Sequence, residues 1–215
     1  MKKGKMIYFC TVFVLLLIII FGFAYENNKN DDKNDILVNN QSNTIPIATL
    51  TQEPTPTLSP YDKMQSYEEG QYKVGVDIPA GEFVLLATDD SGYFSVTSDA
   101  NGNDILFNDN FETNSIITIK KNEYVELSRC IAYPSSQFYD ELEINQENYG
   151  TMLKVGKDIK PGEYKIETDG SSGYYCIYSN SRHDDIVAND NFDNSCYVSV
   201  EKGQYLVLSR CRIKK

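Results

Sequence analysis

The chain has 215 residues, and its 31 acidic and 20 basic side chains give a formal net charge of −11. That balance argues against nucleic-acid binding and against charge-driven docking on anionic lipid, since both need clustered Lys and Arg. Hydrophobic residues make up 41%, enough for a core, and 16 Tyr and 10 Phe among many Val, Ile and Thr point to β structure.

Residues 1–5 carry Lys2, Lys3 and Lys5, and an uncharged run follows over 6–25. A helix of roughly 20 residues crosses a hydrocarbon core of about 30 Å, so the run is just long enough to span. The lysines should stay inside and the chain after Glu26 should lie outside. The apolar run exceeds the usual h-region, which favours a signal anchor and a single-pass membrane protein. The alternative is a signal peptide cut after Ala24, which would release a secreted protein. Cys10 has no small residue before it and reads as a lipid-facing apolar residue, not a lipoprotein cysteine.

Residues 26–65 read as a disordered stalk. The Asn/Asp-rich stretch at 27–35 has too little apolar surface to offset chain entropy. The Thr/Pro alternation at 54–60 favours a semi-rigid polyproline II spacer, open to O-glycosylation.

Residues 66–133 and 153–215 are two copies of one repeat, joined by a connector over 134–152. The offset is 81 and holds without a gap, from Lys73-Val74-Gly75 against Lys154-Val155-Gly156 to Leu127-Ser128-Arg129-Cys130 against Leu208-Ser209-Arg210-Cys211. Identity is about 40%, which marks a duplication. Within each copy apolar residues alternate with a period of two, as at Phe94 and Val96, Ile117 and Ile119, or Leu206 and Leu208. Turn signals such as Pro79-Ala80-Gly81 and Lys202-Gly203 separate the runs, and no stretch of 66–215 carries a helical stripe. The expected fold is all-β: two tandem small β-sandwich-like repeats of about six strands each, after an N-terminal transmembrane helix and the stalk. The connector is long enough to separate two modules; the alternative is that both copies build one larger pseudo-symmetric sandwich, since a unit of about 60 residues is marginal alone.

The motif Tyr72-Lys73-Val74-Gly75-x-Asp77-Ile78-Pro79-Ala80-Gly81-Glu82-Phe83 resembles a repeat of uncharacterised exported or membrane-anchored proteins of Gram-positive bacteria. It is faintly similar to β-sandwich modules appended to secreted peptidases. The resemblance covers about residues 66–215, and the second copy departs from it at Lys160-Pro161. It implies a fold and an extracytoplasmic location, and no activity.

Candidate chemistry is sparse. His183, the single histidine, sits in a Ser-Arg-His-Asp-Asp turn where the first copy has Gly102. With no second histidine for a metal cluster and no G-x-S-x-G motif, it reads as an exposed turn residue. Asp104, Asp109, Asp185 and Asp190 lie in Asp/Asn-rich loops shared by both copies. They are candidate calcium ligands, although the spacing is not that of an EF-hand and Asn/Asp also serve as turn formers. Cys176 and Cys196 replace Ser95 and Ser115 together, which suggests a bond between them; Cys130 and Cys211, at equivalent positions, could pair across the pseudo-symmetry, and the alternative is that the thiols are free and buried as small apolar residues. Arg129 and Arg210 are expected in ion pairs, with Asp77 and Asp158 as candidate partners, or else as contacts for an anionic ligand. Tyr93, Tyr174, Tyr175 and Tyr178 could line a sugar- or peptide-binding face or simply form cross-strand pairs.

No constellation for catalysis emerges. The expected function is a non-catalytic extracytoplasmic module at the cell surface that binds a glycan, wall polymer or protein. The alternatives are a structural or accessory envelope protein and a calcium-dependent adhesion module.

Overall fold

In the computed structural model, residues 59–214 are described, apart from the side chains of Asp169 and Ser171. The expected membrane segment at 6–25 and the stalk up to residue 58 lie outside the described residues. Among the described residues no helix is long and apolar enough to cross a membrane. The protein is mostly β, as the alternation of apolar residues predicts.

In the first repeat the strands are β1 (Gly70–Lys73), β2 (Gly81–Ala87), β3 (Gly92–Thr97), β4 (Ile105–Phe111), β5 (Asn114–Ile119), β6 (Tyr124–Ser128) and β7 (Cys130–Pro134). They form two antiparallel sheets, ordered β1-β6-β3-β4 and β5-β2-β7. Phe83, Leu85, Ile117 and Ile119 from the three-strand sheet meet Phe94, Val96, Val125 and Leu127 from the other in one core. This is the period of two made physical, one parity facing the opposing sheet.

Helix α1 (Ser135–Glu141) follows, then β8 (Met152–Lys154), β9 (Gly162–Tyr178), β10 (Ile186–Val200), β11 (Tyr205–Ser209) and β12 (Cys211–Ile213). The offset of 81 maps β2 and β3 onto the two halves of β9, and β4 and β5 onto β10. The second repeat therefore keeps the first repeat's strand neighbours with fewer, longer strands, in the order β10-β9-β11-β8 with β12 beside β9.

Two details of the duplicated motif explain its residues. Gly75 and Gly156 adopt φ of 90° and 98°, and their amides donate to the carbonyls of Ile78 at 2.7 Å and Ile159 at 2.6 Å. The Asp77 and Asp158 carboxylates close the same turn by accepting the amides of Lys73 and Lys154 at 2.9 and 2.6 Å. Arg129 and Arg210 are left-handed, with φ of 52° and 54°, at the corner where the chain passes from one sheet to the other. Their guanidinium Nε donates to the carbonyls of Ser91 and Ser172, so the expected ion pairs with Asp77 and Asp158 are not formed.

The structure also departs from the sequence reading at α1, at residues 59–65 and at the connector. Helix α1 was not foreseen; at 7 residues it is too short to show a periodic stripe, and it buries Phe138. Residues 59–65, read as the end of the stalk, belong to the folded unit. Ser59 caps a 3-10 turn at Pro60–Lys63, Met64 is buried, and Lys63 pairs with Glu141 at 2.8 Å. The connector does not separate the repeats either: the second core takes in Val84, Ile116 and Tyr133 from the outer face of β5-β2-β7. Val84 and Ile116 are fully buried there, each adding about 1.5–3 kcal/mol of apolar burial. Their counterparts Lys165 and Tyr197 lie on the free face of the second repeat, the lysine Nζ 5.6 Å from the ring centroid.

All four described cysteines are free thiols, so the expected Cys176–Cys196 bond is not present, and Cys130 and Cys211 follow the free-thiol alternative. Cys176 is on the outer face of its sheet, close enough to Asp109 of the first repeat to feel its charge. Cys196 shares the parity of Val198 and Val200, which point into the second core. Cys130 and Cys211 are buried in different cores.

The seam is also stitched by an exchange of carboxylates. The left-handed Arg129 donates its amide to Glu69 at 2.9 Å. The counterpart of Glu69 is Gly150, and the Arg210 amide goes instead to Glu112 of the first repeat, at 3.0 Å. Gly150 has φ of 64°, and a Cβ on it would stand 2.3 Å from the Glu112 Cβ. Gly150→Ala should therefore cost more than about 2 kcal/mol and lower the melting temperature by several degrees. Gly102→Ala, left-handed but with open space around it, should cost only the backbone strain of about 1–2 kcal/mol. Equal melting temperatures for the two variants would rule out the interlock.

Candidate functional site: a groove at the repeat seam

Glu82 on β2 stands at the meeting point of both repeats and α1. Its Oε1 accepts from Ser135 Oγ at 2.7 Å and Lys154 Nζ at 2.6 Å. Its Oε2 accepts from Ser181 Oγ at 3.3 Å and Tyr205 Oη at 2.5 Å. Burial pushes the Glu82 carboxyl up, but the bonds from Lys154, Tyr205 and Ser135 together with the lysine charge outweigh it and leave it below the usual carboxylate range. The same contacts raise Lys154 against the opposing effect of its own burial.

Beside this cluster, the turn Ser181-Arg182-His183 of the second repeat docks along the open edge of β5. Thr118 N donates to Ser181 O at 2.9 Å, and Arg182 forks onto Glu123 at 3.0 and 3.1 Å while lying 4.8 Å from the Phe107 ring centroid. His183 is not the exposed turn residue the sequence suggests: its side chain is 4% exposed, stacked on Tyr178 with centroids 4.9 Å apart. Its Nε2 lies 3.2 Å from the Ile116 carbonyl oxygen, which can only accept, so Nε2 carries the hydrogen. Nδ1 faces the Asp109 carboxylate at 3.7 Å. The signal for this docking was in the comparison of copies. The first repeat has Gly102 in the left-handed position, at φ of 73°, and a histidine tolerated there at φ of 59° has its side chain in use.

The groove opens next to Glu82. Its volume is about 640 Å³, and its walls include Pro79, Glu82, Ser136, Tyr139, Lys154 and Lys157. It is therefore built from the first repeat's turn, α1 and the second repeat's turn together. The Tyr139 hydroxyl donates to Asp158 at 2.9 Å, and burial, with that carboxylate alongside, pushes the phenol well above its ordinary value. Burial likewise raises Asp158, despite the donors around it.

The calcium candidates are dispersed. Asp104 and Asp185 bond the Ser98 and Ser179 hydroxyls of their own loops, Asp190 accepts the Asn191 amide, and Asp109 faces His183. Among the described residues no three His, Cys, Asp or Glu side chains converge as metal ligands. The tyrosines are split as well. Tyr93 and Tyr174 accept from Asn108 and Asn189 on the adjacent strand, Tyr175 packs against the second core, and Tyr178 lies in the seam. Burial pushes the Cys130 and Cys211 thiols up to about 11 and about 12, which makes them packing residues and not nucleophiles.

A carboxyl held below its unfolded value contributes stability above the ordinary carboxylate pKa, and that stability is lost as pH falls toward the depressed value. Glu82→Gln should cost on the order of 2 kcal/mol at neutral pH, and its deficit relative to wild type should shrink as pH falls below the ordinary carboxylate range. Thermal melts of both proteins across that range check this; a deficit that does not change with pH would mean that Glu82 acts by shape and not by charge. No family model, curated protein or solved structure matches the chain, so the chemistry of the groove stands as its own guide to function.

Proposed function

We propose that the protein is a non-catalytic binding module of the bacterial cell surface, with its two β-sandwich repeats outside the membrane and the seam groove as its ligand site. In this reading residues 6–25 anchor the chain with its N-terminus inside, and the Asn/Asp and Thr/Pro stretches hold the folded unit away from the bilayer. The observation that carries the reading is the groove itself, which requires both repeats and α1 and is fixed by the Glu82 cluster. Its polar groups suit recognition better than reaction. The Ser135 hydroxyl donates to a carboxylate already paired with Lys154, and Glu82, the acceptor of four donors, has little freedom to take up a substrate proton.

A second reading, an accessory protein that works through protein contacts, is favoured by β10. Among the described residues this strand pairs only with β9, and Ile186, Val187 and Tyr197 along it are 52%, 52% and 64% exposed.

The two readings separate by NMR shift mapping with purified wall-glycan fragments. The groove reading expects shifts clustered over 135–140 and 154–160, abolished by Ser136→Trp, which fills the groove from an exposed position without touching either core. Shifts confined to β10 on addition of an envelope protein, with none from glycans, would replace it with the accessory reading.

A further inference from the structure

We infer that the groove extends past Lys157 into a second trough that takes a polyanionic chain, one bearing repeated phosphate or carboxylate groups; this rests on the groove reading above. The trough has a volume of about 690 Å³ and is walled by Lys157, Lys160, Lys202, Tyr164, Gln146 and the backbone of the Gly156 turn. Lys157 lines both hollows and stands 5.9 Å from the Tyr139 ring centroid, so one extended ligand can pass from one to the other.

Three observations point to an anion. Among the described residues no carboxylate is paired with Lys157, Lys160 or Lys202. The one acid in the wall, Asp158, is turned inward and occupied by the Lys154 amide, the Ile144 amide and the Tyr139 hydroxyl. The cations are also unevenly distributed. Residues 66–133 hold four basic and twelve acidic side chains, a net −8, whereas residues 153–215 hold ten and nine, a net +1. In a chain of net −11, the second repeat is the part of the fold where a long anion meets the least opposing charge.

The duplication supplies an internal control. The first repeat folds the same turn, with φ of 90° at Gly75 against 98° at Gly156, yet places Val76 and Pro79 where the second has Lys157 and Lys160. The turn geometry therefore does not require the lysines. The backbone bonds of the turn and the Lys202 stem lying on Gly156, where a Cβ would be 3.2 Å from Cγ, hold the platform in place before any ligand arrives.

The test is a titration of dye-labelled poly(glycerol phosphate), polygalacturonate and neutral dextran against the full chain in nonionic detergent, read by fluorescence anisotropy. Binding of at least one polyanion, weakened by added salt and absent for dextran, is expected; the relative affinities identify phosphate or carboxylate as the source. The pair Lys157→Glu with Lys160→Glu should weaken binding by roughly tenfold or more, and Lys120→Glu with Lys121→Glu, an equal change of net charge in the first repeat, by less than about threefold. Equal losses from the two pairs, or no polyanion binding, would overturn the inference. Dextran binding that survives the lysine reversals but is lost in Ser136→Trp would overturn it while leaving the groove reading intact.

Discussion

A carboxylate withdrawn from water costs several kcal/mol unless its lone pairs are filled by well-placed donors. Glu82 meets that demand with donors from three places: Ser135 from α1, Lys154 and Tyr205 from strands of the second repeat, and Ser181 from its docking turn. None of these belongs to the sheet that carries Glu82. The charge is therefore tolerable only when both repeats and the helix are in register, and any slip of one repeat against the other leaves it buried and underpaired. The apolar contacts of Val84 and Ile116 supply adhesion without direction; Glu82 supplies the direction. Its counterpart Glu163 is exposed to solvent on the free face and makes no such demand.

The two copies have diverged along the surfaces that distinguish them. Val84, Leu86 and Ile116 at the seam are answered by Lys165, Glu167 and Tyr197 on the free face of the second repeat, where Glu167 pairs with Arg212 and Lys214. Across the seam, Met152 and Val207 are answered by Gln71 and Glu126 on the free face of the first repeat. Both outer surfaces are thus polar where the joined surfaces are apolar, as in the terminal members of stacked repeat arrays. One gene duplication has yielded a pair with a single adhesive junction.

This explains which features were legible in the sequence. Strand alternation is a local signal, and the offset of 81 repeats it, so the all-β class and the duplication could be read directly, whereas the strand order could not. The seam could not, because it depends on which outward-facing parity meets another sheet, and Val84 between Phe83 and Leu85 reads as part of one continuous buried strand. The hint was differential: positions where one copy is apolar or bulky and the other polar or glycine, such as Ile116 against Tyr197 or His183 against Gly102. The cysteines misled for the related reason that joint replacement in one copy says nothing about which face each residue occupies. Helix α1 was hidden by its brevity, and the groove by its dependence on three segments distant in sequence.

The chain arrives through Ser59 and is clamped at once: Lys63 to Glu141, Gln65 to Gln137, and Met64 in the second repeat's core. A pull delivered through Ser59 therefore falls first on α1 and the seam, and the terminal strand β1, hydrogen-bonded along its length to β6, is spared from being peeled away residue by residue. Any force applied at Ser59 would thus be carried by the helix that walls the groove, so groove shape and such a load would be coupled through the same seven residues.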